Sequence, residues 1–119
     1  MNTRSLGVQL VEWCNQGKNF DVMRTMYAPS IVSVEGDGAE TAGQAAVIKK
    51  SEVWQSKNTI HSQKVRGPFF NGKDQFAVHF LFEVTPKATG RRITIEEVGV
   101  YWVEGDAIVR EQFFYDGEH

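Results

Sequence analysis

Asn71 and Gly72 stand between two runs, residues 59–70 and 74–85, in which apolar and polar side chains alternate. An Asn-Gly pair accepts the positive φ angles of a type I′ turn, whose twist matches that of the strands it joins, so the pattern commits this stretch to an antiparallel hairpin. With a two-residue turn, Phe70 faces Lys73. Pairing then sets His61, Gln63 and Val65 on one face with Phe76, Val78, Phe80 and Phe82, and Lys64, Arg66, His79 and Glu83 on the other. A ribbon that is aromatic on one side and charged on the other must have its apolar side covered by the rest of the chain.

Two more alternating segments, 91–103 and 107–116, follow, and Glu104-Gly105-Asp106 between them reads as a three-residue hairpin loop. Val and Ile together number twenty against three Leu, and most of the fourteen aromatics lie after residue 58, a bias toward pleated, half-buried surfaces. The earlier part is helical instead. Between Arg4 and Gly17, Leu6, Leu10, Val11, Trp13 and Cys14 recur at three- and four-residue spacing, with Thr3 or Ser5 as cap. Phe20, Met23, Met26 and Tyr27 repeat that spacing until Pro29 forces an exit. Residues 31–35, IVSVE, form a first strand. The glycine-rich segment 36–43 lacks the spacing and lysine of a phosphate-cradling loop, so it leads into a third helix from Thr41 to about Ser56, with Lys49, Lys50 and Glu52 facing water. Helices first and sheet second give an α+β domain, a single one over residues 1–119.

Thirteen basic and fifteen acidic residues leave a net charge of −2 with no basic run, which argues against nucleic acid or an anionic membrane as partner. No stretch approaches the length of a membrane span, and the opening residues lack an apolar signal region, so a soluble cytoplasmic protein is expected. One cysteine, Cys14, fits a reducing compartment and is read as a buried helix residue.

Two carboxylates stand out in the last hairpin. A three-residue loop sets Val103 opposite Ala107, Gly99 opposite Glu111 and Glu97 opposite Phe113, on a face shared with Tyr101, Val109 and Tyr115. Glu97 and Glu111 then become diagonal neighbours, roughly 7–8 Å apart at the backbone. Among aromatic rings, both desolvation and mutual repulsion raise their pKa values toward the range useful for acid–base chemistry. The alternative is that they turn outward or pair with Arg91, Arg92 or Arg110. Glu35, ending the first strand, points either into a space closed by helices or into solvent. His61, with Gln63 on the aromatic face, is either a wall residue or a titrating catalyst. His61, His79 and His119 share no metal-ligand spacing, no nucleophile elbow or dinucleotide fingerprint is present, and neither a metal nor another cofactor is expected.

Three strings, NQGKNFDVMRTMYAPSIVSVE at 15–35, AGQAAVIKK at 42–50 and TGRRITIEEVGVYWVEGDAIVREQFFYD at 89–116, resemble in order and spacing the SnoaL-like branch of the nuclear transport factor 2-like superfamily. The resemblance implies a cone-shaped, cystatin-like α+β fold, with three N-terminal helices packed on a strongly curved, mostly antiparallel sheet that encloses a pocket. It also implies functions ranging over polyketide cyclases, ketosteroid isomerases, epoxide hydrolases and non-catalytic binding domains, and a homodimer built through the outer sheet face.

Carried over position by position, most of the family's catalytic groups are missing. Glu35 falls where the steroid isomerases keep their proton-shuttling carboxylate. Their tyrosine and protonated aspartic acid donors correspond to Leu10 and Gly99, which cannot donate, a loss worth about 3–4 kcal/mol per donor. The epoxide hydrolases' arginine and two aspartates fall at Glu97, Gly99 and Phe113, and the cyclase aspartate also falls at Phe113. The polar set that remains is Glu35, His61, Glu97, Tyr101, Glu111 and Tyr115, with Gly99 leaving space in the wall. Leu10, Trp13, Gln63, Phe80, Phe82 and Phe113 complete the expected pocket. The expected ligand is an apolar or carbonyl-bearing small molecule. Glu35 or the Glu97/Glu111 pair would move a proton beside the carbonyl, with Tyr101 or His61 as donor, in an isomerase- or cyclase-like reaction. The rival expectations are a ligand-binding or assembly module without turnover, and a cavity filled by its own side chains.

Overall fold

Asn2, rather than Thr3 or Ser5, caps the first helix of the computed structural model, which describes residues 1–116. The Asn2 side chain accepts from the Ser5 backbone N–H while the Ser5 hydroxyl accepts from the Asn2 N–H, so Ser5 completes a capping box and satisfies two donors of the first turn. The elements are α1 (Thr3–Asn15), α2 (Asn19–Met26), β1 (Tyr27–Val34), β2 (Glu40–Ala42), α3 (Gln44–Lys57), β3 (Asn58–Asn71), β4 (Gln75–Pro86), β5 (Ile93–Glu104) and β6 (Ala107–Tyr115). One six-stranded sheet runs β2-β1-β6-β5-β4-β3, antiparallel except where β1 lies parallel to β6.

Tyr27 begins β1 instead of ending a helix. The parallel pairing of Tyr27 with Ile108, and the bias of Pro29 against helix in the residue before it, outweigh the helical spacing of its neighbours. Part of the glycine-rich segment forms β2, and α3 accordingly starts at Gln44 rather than Thr41.

Apart from His61 and Val109, which bulges displace, both long hairpins keep the expected faces but shift their registers. The Asn-Gly pair does not form a two-residue turn: Asn71 pairs with Gln75 across Gly72, Lys73 and Asp74, so Phe70 faces Phe76 rather than Lys73. A bulge at Gly67 and Pro68, held by a φ of 125° that only glycine adopts easily, restores the alternation, and Val65 meets Phe80 while Gln63 meets Phe82. A second bulge leaves His61 as the extra residue between Ile60 and Ser62. In the last hairpin the loop is Gly105-Asp106, with Glu104 opposite Ala107. A bulge past Trp102 then moves the pairing so that Tyr101 faces Glu111, Gly99 faces Phe113 and Glu97 faces Tyr115. Bulges increase local twist, and these help bend the sheet.

Leu6, Leu10 and Cys14, one turn apart on α1, are buried with Val65, Phe76, Val78, Phe80 and Tyr101 of the sheet. Phe76 stacks on Tyr101 with ring centroids 5.1 Å apart. Beyond this packed end, the helices and the sheet diverge around an open space.

Candidate active site

The parallel pairing of β1 with β6 sets Ser33 beside Glu111. Because side chains alternate, Ser33 shares its face with Ile31 and Glu35, so one short strand lines the interior with an apolar, a hydroxyl and a carboxylate side chain. Glu111 is 2% exposed, a buried carboxyl. Tyr27 donates its hydroxyl to Oε1 of Glu111, and Ser33 also hydrogen-bonds the carboxyl group. Burial pushes the Glu111 carboxyl above the ordinary glutamate range. The bonds from Tyr27 and Ser33 and the charge of Lys50 oppose that shift without cancelling it, and Glu35 adds to it. Tyr101, opposite Glu111, shares a hydrogen bond with Tyr27. Burial first, then the nearby Glu111, hold both phenols well above their usual range, so both remain protonated donors.

Lys50 connects this floor to the pocket wall. It lies one helical turn from Val47 and from Trp54 on α3, on the stripe that faces the sheet, and not toward water as its sequence context suggested. Its Nζ donates to Ser33 Oγ at 2.9 Å and to Glu35 Oε1 at 2.5 Å. The Tyr115 hydroxyl donates to the other oxygen of Glu35 at 3.4 Å. Burial, followed by the charges of Glu35 and Asp37, raises the Tyr115 phenol despite an opposing bond to the Gly36 backbone.

These groups meet in a pocket of about 660 Å³. Phe80 stacks on Phe82 at 5.9 Å, Trp54 meets Phe82 edge-on at 5.9 Å, and Phe113 tilts against Phe80 at 6.5 Å. Leu10 closes the packed end, while Gln63 lies near the helices, donating to the Cys14 carbonyl at 2.6 Å and to Asn19 at 2.9 Å.

Of the residues singled out from sequence, Glu35, Glu97, Tyr101, Glu111 and Tyr115 line this pocket with Leu10, Gln63, Phe80, Phe82 and Phe113. The proposed Glu97/Glu111 pair does not form. Glu97 faces Tyr115, four residues along β6 from Glu111 or about 13 Å of extended strand, because the real loop is shorter than assumed and a bulge moves the register. His61 reaches the pocket edge, but its bulge turns the exposed ring to Thr85, with Nε2 2.7 Å from the hydroxyl, so it is not among the aromatic rings. Trp13 packs partly buried against the core and is not part of the pocket wall. Gly99 leaves no space for a ligand, since a Cβ there would meet Phe80, Tyr101 and Phe113 ring carbons at 3.1–3.2 Å. Its missing side chain accommodates the protein's own rings. Sequence reasoning overlooked Tyr27, Ser33 and Lys50. The recoverable signals were Ser33 at an inward position of IVSVE and Lys50 in register with Val47 and Trp54. Among the described residues no three His, Cys, Asp or Glu side chains converge as a metal site, and His119 lies outside those residues.

A family profile described as a SnoaL-like domain matches residues 1–115. The chain belongs to the SnoaL-like family. No curated protein sequence matches it. Among solved structures, a candidate SnoaL-like polyketide cyclase from Mesorhizobium loti, whose name also carries carbohydrate phosphatase, is 38% identical. The alignment covers 97% of this chain and 100% of that one at a TM-score of 0.92. A Xanthomonas campestris protein of unknown function with a cystatin-like fold aligns over 98% of this chain and 92% of its own, at 15% identity and a TM-score of 0.77. A candidate isomerase from Bacillus subtilis aligns over 98% and 90%, at 12% identity and the same TM-score of 0.77. The last two establish the fold only, a cystatin-like α+β cone, and it is the SnoaL-like family match that sets the domain in the nuclear transport factor 2-like superfamily.

Proposed function

We propose that this SnoaL-like pocket binds a mainly apolar, carbonyl-bearing small molecule and moves a proton beside the carbonyl without a cofactor, as an isomerase or cyclase. The observation that carries the reading is the pair of carboxyl groups with opposite surroundings on one pocket: Glu111 buried and pushed toward its neutral form, Glu35 held by the ammonium of Lys50. A carboxyl raised by burial suits the acid role, which leaves the more exposed Glu35 to serve as base. In this reading Glu35 removes the proton from carbon. Tyr27, a donor to Glu111 at rest, turns when the neutral Glu111 carboxyl supplies its own proton to that bond, so that Tyr27 donates to Tyr101 and Tyr101 to the carbonyl oxygen, replacing the donors that Leu10 and Gly99 cannot supply. A volume of about 660 Å³ suits a drug-sized ligand, and the aromatic walls suit an apolar one.

The test is hydrogen–deuterium exchange at carbon next to the carbonyl, followed by NMR for a panel of cyclic ketones and enones in heavy water. Enzyme-dependent exchange that disappears in Glu35→Gln and in Glu111→Gln supports the reading. Saturable binding with no exchange replaces it with the ligand-binding module.

The outer sheet face supports a homodimer as the second element of the proposal. Val98 and Phe114 are 37% and 51% exposed there, beside half-buried Leu81, Val100 and Trp102 on the same face. Phe114→Glu shifts the hydrodynamic size to that of a monomer if a second copy covers this patch. No helix among the described residues is long and apolar enough to cross a membrane, and the buried free thiol of Cys14 suits a cytoplasmic setting.

A further inference from the structure

The hydrogen bonds along β1 and α3 branch from Lys50. Lys50 Nζ donates at once to Glu35 and to Ser33 Oγ, and the Ser33 hydroxyl bonds Glu111. Serine both donates and accepts, and an ammonium offers three protons, so every link can pass a proton onward. The path is continuous, short and lined on the floor side by fully buried Ser33. Nothing in the acid–base reading above uses it.

We propose that Lys50 and Ser33 form a proton-return path from Glu35 to Glu111. The inference rests on the reading of Glu35 as base and Glu111 as acid, and it distinguishes the two reactions that reading allows. An isomerisation gives its proton back to carbon, leaving both carboxyls as they began. A ring closure does not. When a C–H bond next to one carbonyl breaks and a C–C bond forms to a second carbonyl carbon, Glu35 keeps the proton from carbon. The new alkoxide takes the proton that left Glu111 through Tyr27 and Tyr101. The product departs as a neutral alcohol, and the enzyme is left with Glu35 protonated and Glu111 ionised. Resetting requires one proton to travel back: Glu35 gives its proton to Lys50 as Lys50 gives one to Ser33 and Ser33 gives one to Glu111. Charge and protons balance, with Lys50 again an ammonium and Ser33 again a hydroxyl. The groups that act electrostatically on Glu111 or bond to it are Tyr27, Ser33, Lys50, Glu35, Tyr101 and Cys14; of these, only Ser33 and Lys50 lead to Glu35.

The experiment follows the infrared carbonyl band of protonated Glu111, identified by its loss in Glu111→Gln, after a rapid pH jump on the ligand-free protein. Ser33→Ala should slow the band's relaxation by about tenfold or more, the rate equivalent of losing one hydrogen-bonded step. Lys50→Arg keeps the charge and the donors but cannot release a proton, so it should slow relaxation comparably while leaving the titration midpoint in place. Ser33→Thr, which keeps the hydroxyl, should restore the rate. If Ser33→Ala fails to fold, the half-buried Lys50→Arg carries the test alone. Wild-type relaxation in Lys50→Arg overturns the path even if the enzyme turns over. Absence of turnover with any carbonyl compound sinks the assigned function, while the relaxation still reports on the path.

Discussion

Glu111 and Glu35 are the same residue type joined by one hydrogen-bonded chain, yet the fold places one on the floor of the pocket and the other on its wall. Glu111 is sealed by Tyr27, Ser33 and Tyr101, whereas the Glu35 side chain retains 28% exposure and an ammonium partner. The difference shows that burial, not chemical identity, assigns roles to carboxyl groups. Removing water raises the Glu111 carboxyl toward its neutral form, whereas Glu35 keeps partial access to water and an ammonium partner. The same contrast governs packing, because side chains on the floor have nowhere to move and those on the wall do.

The largest expected effect separates the two carboxyls by pH. Glu35→Gln and Glu111→Gln should each lower turnover by about 10²–10⁴-fold, and Glu111→Gln should also abolish the falling limb of the pH–rate profile. A falling limb that survives in Glu111→Gln breaks the comparison.

Next in size is a pair of glycine substitutions. Gly99→Ala sets a methyl 3.1–3.2 Å from three rings on the floor and should cost about 1–3 kcal/mol in chemical denaturation. In Gly36→Ala the nominal clash with the Tyr115 ring is closer, 2.7 Å, but that ring is at the wall and can swing aside. Its cost should stay near or below about 1 kcal/mol. A larger loss for Gly36→Ala would show that the wall is as rigid as the floor.

Stability should also carry the signature of Glu111. Its folded pKa lies above its unfolded one, so between those values the native state binds more protons. Stability therefore falls as pH rises through that window, by up to about 1.4 kcal/mol per pH unit, and is flat above it. Denaturation midpoints measured across pH should lose this decline in Glu111→Gln. The smallest effect is a silence. Burial and the nearby Glu111 push the Cys14 thiol up to about 12, so a thiol reagent should leave the native protein unlabelled near neutral pH and react after unfolding.

Periodicity was a sound guide to which side chains share a face. Gln63 with Phe80 and Phe82, and Glu97 with Tyr101, Glu111 and Tyr115, all followed from alternation, and the strings at 15–35 and 89–116 pointed to the family. It was a poor guide to which side chains touch. Alternation survives any register shift of two residues, so the pattern that placed Glu97 and Glu111 on one face had no means of telling diagonal neighbours from residues four positions apart. His61 illustrates the opposite failure, since a single bulged residue reversed its direction while leaving its neighbours in place.

Hydrophobic spacing, turn residues and charge were enough to determine an α+β chain with an aromatic concave face and carboxylates among the rings, because these depend on local periods of two and 3.6 residues. The bond from Tyr27 to Glu111, the meeting of Ser33 with Glu111 and the reach of Lys50 to both were decided only when strands 84 residues apart in the case of Tyr27 and Glu111 came into register. A carboxyl's character depends on what surrounds it in space, and only the assembled sheet defines those surroundings.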